Sequence, residues 1–528
     1  MLKTIKKKHA LVIVNYGNKN GEEVFYFAEK IKEIINEGPR SIPPDAEEEK
    51  YKARWKQRWL SLLKEDPYFS DLYDEQEKLS DLKNDYFRFE PFVVSSWKGP
   101  EPSPVTAEEI LKISNEELSK KLKEFKSQNR WDGPSVEGFS TALKEAVKTK
   151  PDKFLKDLKP FENARFTYVY EIINGLRDAW NEKKDIQWGA LLDFIAIYIS
   201  QDEFWSDKNI VQEGGDWVAG INHEVVVGAI GELIKDGTRD DAWAFSEEYL
   251  EKAKEIIFLL MDKAVADEKD IGSDYVTYSL NSPNGKLIEA FINLTLKIAR
   301  VRKKEGIEEE PRWFEEFKNK YEVVLKKGIT EAYTTVGRFM PNFAYLDMKW
   351  LKDQISLLSS EKGSNQWEAF IDGYISIGTV YDDLYELMLP HYEYGLSYDF
   401  KERRDWEHLI QHISLGYLRG RETLDAPKSL FKKIVHEWEP ERIQEIISFL
   451  WMQRNYLTES TDENEKIRTR IIEFWKLIYE KYMDKEDKSL TKKDKNILSH
   501  DGSLAVTLSD PKAFEVGGNI ANNRRQIF

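Results

Sequence analysis

The chain has 528 residues, more than one ordinary globular core, and none is cysteine, which excludes disulfides, thiolate metal sites and cysteine nucleophiles. Its formal net charge of −16 argues against nucleic-acid binding, because phosphate contacts require clustered lysine and arginine. With 16 tryptophans, 25 tyrosines and 27 phenylalanines it has ample material for a core, so the composition excludes a disordered chain.

The N-terminal residues contain the best strand candidate, Ala10 to Val14, which is short, β-branched and ended by Asn15. No small-residue cleavage site follows this apolar patch, so we reject a signal peptide. No apolar run approaches the ~20 residues of a membrane-spanning helix. Together with the absence of cysteine, these observations lead us to expect a cytoplasmic protein that does not contact a membrane.

Two helices are predicted in the first hundred residues. One covers 22–37 and stops before Gly38, and the other covers 46–65, where Trp55, Trp59 and Leu63 recur at steps of four. The stretch 97–104 contains three prolines and a glycine, which cannot continue a helix. This break delimits a mostly helical N-terminal segment of residues 1–97.

Helices resume after the break with recognisable start signals. Thr106 and Ser114 are each followed three residues later by a glutamate, which is the spacing of a capping box. Ser135 can cap the next helix, and Pro151 suits the first turn of the helix after it. Amphipathic helices are then predicted over 166–180 and 188–200. A looser polar stretch, 202–216, ends a first helical-repeat module of residues 98–215.

The second helical-repeat module, residues 216–500, is a longer series of predicted helices. Their expected ranges are 223–235, 240–263, 285–300, 311–327, 342–358, 366–389, 402–418, 440–454 and 463–483. The Asp236-Gly237 pair is expected to separate the first two, and a turn-rich stretch, 274–284, is expected to lead into the third. Gly328, Gly363 and Pro390 are expected to end helices. Residues 501–528 are expected to form a loosely structured tail.

Consecutive helices with short links and almost no strand predict an all-α fold built from antiparallel helical hairpins. The intervals between helices vary too much for a uniform repeat. The sequence therefore predicts a degenerate α-solenoid in which each hairpin mainly contacts its neighbours, with at most a small β element near the N-terminus.

No nucleotide-binding loop is recognisable. Gly285-Lys286 is followed by Leu287, and position 280 is leucine, so the nearest phosphate-loop match lacks both the first glycine and the magnesium-binding hydroxyl. No glycine-rich turn follows a convincing strand, and no nucleophile elbow is present. We therefore expect no cofactor.

The seven histidines do not form a metal motif. Only His408 and His412 have a helix-compatible spacing of four, and residue 409 is leucine where a zinc protease requires glutamate. We expect a surface or packing role for this pair, no bound metal, and no catalytic residue.

Carboxylates are plentiful, and the obvious clusters are Asp240-Asp241, Asp382-Asp383 and the three glutamates at 308–310. Solvated helix ends and faces are the simplest explanation, and Asp240-Asp241 suits a helix start by the dipole. The alternative is an α/α-toroid enzyme acting on carbohydrate, which would use two carboxylates that face each other across an aromatic cleft.

Three tryptophans, Trp97, Trp131 and Trp205, lie in predicted loops among polar residues. Loop aromatics can anchor a protein partner. They can equally fix loops onto the helical stack. These three residues are the sequence-based candidates for partner binding.

Several short stretches together resemble a known family. They are 104–118, 131–139, Ala142-Leu143, Pro151, 170–176, 186–188, 274–290 and 367–374. Their order resembles the long helical C-terminal region of large prokaryotic STAND-type NTPases and related antiviral (Avs-type) defence proteins, over about residues 100 to 480.

In that family the helical region is tetratricopeptide-like and acts as the sensor that binds a phage protein, such as the large terminase subunit or the portal. An NTPase core then drives assembly, and an N-terminal effector acts. The present sequence matches neither of these parts, so the resemblance implies a sensor portion, a split-gene subunit or a stand-alone relative. It also implies a protein partner, either phage-encoded or an NTPase or effector subunit.

Overall fold

A computed structural model describes residues 21–39, 46–80, 102–127, 133–206, 221–266, 272–307, 310–453, 461–483 and 491–495, together with 42, 82 and 497. The chain divides into two units, residues 1–99 and 100–528, and each is described by itself. The strand expected at 10–14 and the tail expected at 501–528 lie outside the described residues.

The described residues form twenty-three α-helices and no strand, which confirms the all-α prediction for them. In chain order the helices are α1 (Gly21–Glu37), α2 (Glu48–Leu60), α3 (Ser70–Leu79), α4 (Ala107–Ile110), α5 (Asn115–Glu124), α6 (Val136–Thr149), α7 (Pro151–Leu155), α8 (Phe166–Asn181), α9 (Trp188–Ser200), α10 (Asp202–Trp205), α11 (His223–Thr238), α12 (Leu250–Lys263), α13 (Tyr275–Asn281), α14 (Pro283–Lys304), α15 (Glu315–Lys326), α16 (Thr330–Arg338), α17 (Met340–Ser360), α18 (Asn365–Ile375), α19 (Asp382–Gly395), α20 (Arg403–Leu418), α21 (Leu430–Glu437), α22 (Pro440–Met452) and α23 (Asp462–Met483).

The first unit contains α1, α2 and α3 around a small core of its own. The helix expected over 46–65 ends earlier, at Leu60, and turns connect it to α3. Leu63 and Phe69 in that connection are buried with Tyr73 of α3. The connection is therefore part of the core, which explains why its apolar spacing resembled a longer helix.

In the second unit, seven helices form a series in which each packs against the next, and we call this series the first row. Its members are α6, α8, α11, α14, α16, α18 and α20. Other helices, including α9, α12, α15, α17 and α19, pack beside this row. One continuous apolar core extends from Ile110 to Ile497. Packing between neighbours in chain order is compatible with the expected degenerate α-solenoid.

Glycines allow the closest contacts in the first row. A Cβ atom on Gly337 of α16 would lie 2.2 Å from the carbonyl oxygen of Phe370, and one on Gly373 of α18 would lie 2.2 Å from that of Thr334. Real Cβ atoms essentially never approach so closely. The two backbones can therefore touch only because neither glycine carries a side chain.

Several local predictions are confirmed. Thr106 forms a complete capping box with the glutamate three residues later, Ser135 caps α6, and Pro151 is the first residue of α7. Gly328 and Gly363 follow helices with φ of +73° and +85°, a conformation that favours glycine.

The break expected at Asp236-Gly237 is wrong, because α11 continues to Thr238. Asp236 is buried against Arg177, and a Cβ atom on Gly237 would lie 2.5 Å from the Phe245 ring. Tertiary contacts therefore hold both residues in helical conformation despite their low helix propensity.

The helix expected over 240–263 begins only at Leu250. The carboxylate of Asp240 accepts the N–H of Ala242 at 3.0 Å and starts a short 3₁₀ helix, Asp241–Trp243. A second 3₁₀ helix, Glu247–Tyr249, precedes α12. Aspartate favours such local bonds to the backbone, which compete with a continuous helix.

The stretch expected to be a turn-rich lead-in, 274–284, contains helix α13, and α14 begins at Pro283 rather than at Gly285. Asp274 caps α13 and Ser282 caps α14, so the turn signals are helix starts. A Cβ atom on Gly285 would lie 1.8 Å from the carbonyl oxygen of Ser279, so this glycine allows the two helices to meet.

The single helix expected over 366–389 is two helices, α18 and α19, with residues 376–381 between them. Pro390 lies inside α19 and does not end it, since buried Met388 and Tyr392 hold the helix against the core on both sides. Helices α16 and α21 have no counterpart in the sequence-based prediction.

Candidate functional site

Of the three tryptophans expected to bind a partner, Trp97 and Trp131 lie outside the described residues. Trp205 ends the one-turn helix α10 and is partly buried. Its indole N–H donates to the carbonyl of Ile199 at 2.8 Å, and the ammonium of Lys263 lies 5.4 Å from its ring centroid. These contacts fix the helix end, and a partner-binding role for Trp205 stays a prediction.

One carboxylate of each cluster singled out in the sequence is engaged in an ion pair. Asp241 contacts two cations of α14 at 3.0 and 2.9 Å. Asp382 contacts Arg421 at 2.7 Å, and Glu310 contacts Arg312 at 2.7 Å. Residues 308 and 309 lie outside the described part of the chain. The structure does not bring these clusters together.

His408 and His412 both lie on α20, as their spacing predicts. His412 is enclosed, with Nε2 2.7 Å from the carbonyl oxygen of Ile377 and Nδ1 3.1 Å from the hydroxyl of Tyr392. Burial lowers the pKa of His412 to about 4, so its ring is neutral and Nε2 donates to the carbonyl. No group of three potential metal-binding side chains occurs among the described residues.

Arg404, at the start of α20, contacts three carboxyl groups, two of them buried, and we call this group the three-carboxylate junction. Its guanidinium donates to both carboxylate oxygens of Asp274, at 3.2 and 3.1 Å. The same guanidinium lies 3.4 Å from one oxygen of Asp372 and 3.4 Å from one oxygen of Asp405. One cation therefore contacts three carboxyl groups.

Three helices place these groups. Asp274 caps α13, Asp372 lies in α18, and the two remaining residues of the junction occupy the first turn of α20. The backbone N–H of Val276 donates to the second oxygen of Asp372 at 2.9 Å. Two of the stretches singled out in the sequence, 274–290 and 367–374, meet at this point. No sequence signal identified Arg404 or Asp405, because their partners are far away along the chain.

The three carboxyl groups differ in their electrostatics. Burial raises the pKa of Asp372. Burial, and then the charge of Asp372, raise the pKa of Asp405 to about 7. Burial also disfavours ionised Asp274, but hydrogen bonds from Arg404 and the N–H of Thr277 outweigh it and lower its pKa. As the pH rises, Asp274 is therefore the first of the three to ionise and to neutralise Arg404.

A cleft of about 380 Å³ lies beside the junction, between the loop after α19 and the starts of α20 and α22. Three aromatic side chains line it, Tyr398, Phe400 and Trp406. Its charged lining residues are Asp399, Glu439, Glu441, Lys401, Arg403 and Arg442. Acidic and basic groups are balanced there, so the charge of the cleft does not by itself select a partner.

The cleft and the junction share structural elements. Tyr398 lines the cleft and donates its hydroxyl to Glu368 of α18. The other oxygen of Glu368 accepts from the hydroxyl of Tyr275 at 2.7 Å, next to Asp274. Arg403 and Trp406 of the cleft flank the two junction residues, Arg404 and Asp405, in the first turn of α20. A shift of α20 at the junction would therefore move one wall of the cleft.

Ion pairs also connect successive helices of the first row. Arg177 of α8 contacts Asp236 of α11 at 2.7 Å, and Lys235 of α11 contacts Glu289 of α14 at 3.1 Å. Glu289 also pairs with Arg338 of α16. These partly buried pairs set the register between neighbouring helices and leave these carboxylates engaged.

Across the described helices, none has the length and apolar character needed to cross a membrane. No protein-family profile, no curated protein and no solved structure matches the chain.

Proposed function

We propose that this chain is a non-catalytic, protein-binding helical module that serves as the recognition part of an antiphage defence system. Its proposed partner is a phage protein of the terminase or portal type. The observation that supports protein binding is the open, aromatic-lined cleft at one part of a stack of helices. The sequence resemblance supports the defence role.

The residue types of the cleft support this proposal. Aromatic residues and arginine are enriched at protein interfaces and carry most of their binding free energy. Trp406 and Tyr398 are partly exposed, while Arg403 is exposed beside Glu407. These groups can bury apolar area and still make charged hydrogen bonds to a protein surface.

Helical stacks bind proteins along extended surfaces, and this use requires no catalytic group. Asp241 and Asp382 of the carboxylate clusters, and His412 of the histidine pair, are occupied by internal contacts, which is compatible with a binding scaffold. The proposal places the protein in the cytoplasm, where phage packaging proteins are made. An NTPase or effector subunit is a second class of partner that the resemblance suggests.

The test measures binding of the full chain to the purified large terminase subunit and portal protein of a phage, together with phage plating efficiency. The double variant Arg403→Glu, Trp406→Ala should weaken binding at least tenfold and lose protection. Lys326→Glu is the matched control, because Lys326 is also an exposed helical cation with a glutamate one turn away. Absence of binding to both proteins, with plating unchanged by the chain, would overturn the proposal.

The alternative proposal is an α/α-toroid enzyme that acts on carbohydrate. Asp372 and Asp405 favour it, since both carboxyls contact Arg404 and the pKa of Asp405 is raised, as the acid of such a pair requires. Their side chains are only 4% and 7% exposed, however, and Arg404 lies between them and solvent-accessible Asp274. Release of reducing sugar from a polysaccharide panel, abolished in Asp405→Asn, would support the enzyme.

A further inference from the structure

The three-carboxylate junction has more acids than it can neutralise. If Asp274, Asp372 and Asp405 were all ionised, Arg404 would balance one of them and two negative charges would remain. Asp372 and Asp405 both contact the same guanidinium nitrogen, at 3.4 Å each, and both side chains are largely removed from water. Two negative charges at these positions repel each other, and one proton retained by the pair relieves the repulsion.

We propose that Asp372 and Asp405 retain one proton, held by Asp405, and act as a proton-controlled latch between α13, α18 and α20. The latch is closed when the pair holds the proton, and it loosens when both carboxyls ionise. This inference goes beyond the proposed function, because it concerns the junction itself and does not depend on which partner the chain binds.

The surroundings of the pair support the assignment. The charged or titratable groups that face it are Asp274 and Tyr275 from α13, Glu368 from α18, Tyr398 from the loop after α19, and Glu402, Arg404 and His408 from α20 and its cap. Arg404 is the one permanent cation among them. Burial lowers the pKa of His408, so its ring adds no positive charge near neutral pH.

The two carboxyls differ in the hydrogen bonds that can stabilise them as anions. Asp372 accepts the N–H of Val276 at 2.9 Å in addition to its contact with Arg404. Within the described part of the chain, the contact of the Asp405 carboxyl is the one of 3.4 Å with Arg404. An ionised Asp405 would thus be buried with a weak partner, which is costly. Asp405 is therefore the group that holds the proton, and Asp372 is the group that raises its affinity for it.

Loosening of the latch would change the shape of the cleft. Asp405 lies between Arg403 and Trp406 of the cleft wall, and Arg404 connects this turn to the cap of α13 across 130 residues of chain. Repulsion between α18 and α20 would move the first turn of α20, which the Arg404–Asp274 ion pair and the hydrogen bond from Ser273 to Glu402 connect to the start of α13. The cleft wall should therefore differ between protonated and ionised states.

Because the chain has no cysteine, one introduced cysteine can carry a single fluorescent label on the full chain, and this label tests whether the cleft wall moves with pH. Lys401→Cys places an environment-sensitive dye on the cleft lining, and Lys326→Cys places the same dye on the exposed face of α15 as a control. In a titration from pH 5.5 to 8.5, we expect the emission of the dye at position 401 to show one transition near pH 7. The label at 326 should show no transition.

Two acid variants decide whether the junction causes the transition. Asp405→Asn in the Lys401→Cys background should abolish it, whereas Asp382→Asn, which removes a surface ion pair to Arg421, should leave it unchanged. Far-UV circular dichroism and a cooperative thermal transition establish that each variant folds. Deuterium uptake over 275–278, corrected for the intrinsic rate, gives a label-free second readout, because the N–H of Val276 bonds to Asp372. Its protection should fall above pH 7 in the wild type only.

The proposal is overturned if neither readout changes with pH in the wild type, or if the transition persists in Asp405→Asn.

Discussion

The backbone N–H of Val276 donates a 2.9 Å hydrogen bond to a carboxylate oxygen of Asp372, 96 residues further along the chain. This bond joins the first turn of α13 to the middle of α18 and leaves the other oxygen of Asp372 for Arg404 of α20. A single buried carboxyl group thus connects three helices. The free ends of helices are where such bonds are needed, because the first N–H groups of a helix have no intrahelical partner.

Replacing Asp372 by alanine should lower the free energy of unfolding by about 2–4 kcal/mol, because it removes the acceptor of the partly buried Val276 N–H and a buried partner of Arg404. Chemical denaturation at pH 6 measures the loss. Asp382→Ala, at an exposed ion pair, should cost less than about 1 kcal/mol. Equal effects of the two substitutions would contradict the structural role assigned to Asp372.

Asp405→Asn should change how stability depends on pH. The pKa of Asp405 is raised by burial and by Asp372 to about 7 in the folded chain, above its unfolded value, so the folded state binds the proton more tightly. This site should therefore lower the stability by up to about 4 kcal/mol as the pH rises from about 4 to 7. Above pH 7 its contribution should stay constant. The asparagine variant lacks this contribution. Denaturation at pH 5 and pH 8 should therefore show that the stability of the variant, relative to that of the wild type, is greater at pH 8. An unchanged difference between the two proteins at both pH values would refute the assignment.

Gly337→Ala should destabilise the chain even though alanine is the better helix former. At an exposed helical position the substitution would add roughly 1 kcal/mol of stability. Here the new Cβ atom would meet the Phe370 carbonyl at 2.2 Å, so α16 and α18 must separate, at a cost of about 1–3 kcal/mol or more. Thermal unfolding compares it with Gly378→Ala, where the added methyl group would have no atom within 4 Å and little change is expected.

The elements that the sequence predicted well are those with local causes. Thr106, Ser135 and Pro151 start helices through contacts within a few residues, and the helix 188–200 has the predicted bounds. The failures depend on distant partners. The helix through Asp236 is held by Arg177, 59 residues away, which a window of sequence does not contain.

The candidate site shows the same division. Asp274 and the stretch around Asp372 were singled out in the sequence, but as parts of a helical pattern and not as a site. Arg404 contacts Asp274 across 130 residues, so only the fold brings the junction together. The cleft was missed for a related reason, since α20, α22 and the loop after α19 each contribute ordinary surface residues.

The buried His391 gives a prediction of opposite sign to that of Asp405. Its Nδ1 accepts the indole N–H of Trp367 at 3.0 Å, so Nε2 carries the proton and donates to the hydroxyl of Ser359 at 2.9 Å. Burial, followed by the charge of Lys362, lowers the pKa of His391 to about 4, below its unfolded value near 6.5. The unfolded chain therefore binds a proton first, and stability should be lost as the pH falls from 6.5 to about 4, by roughly 3 kcal/mol at this residue.

His391→Asn removes this titration while retaining a hydrogen-bonding side chain. The variant should be less stable than wild type at pH 7, because Trp367 and Ser359 lose well-placed partners. Its deficit should shrink as the pH falls towards 4, since only the wild type carries the cost of a buried imidazole that resists protonation. Urea titrations of both proteins at pH 7, 5.5 and 4.5 measure the difference. His436→Asn, at an exposed histidine of α21, is the matched control and should change the stability little at pH 7. A deficit at His391 that stays constant on acidification would show that folding does not lower its pKa. A deficit that widens would show that folding raises its pKa, and the hydrogen-bond directions assigned to Trp367 and Ser359 would then be wrong.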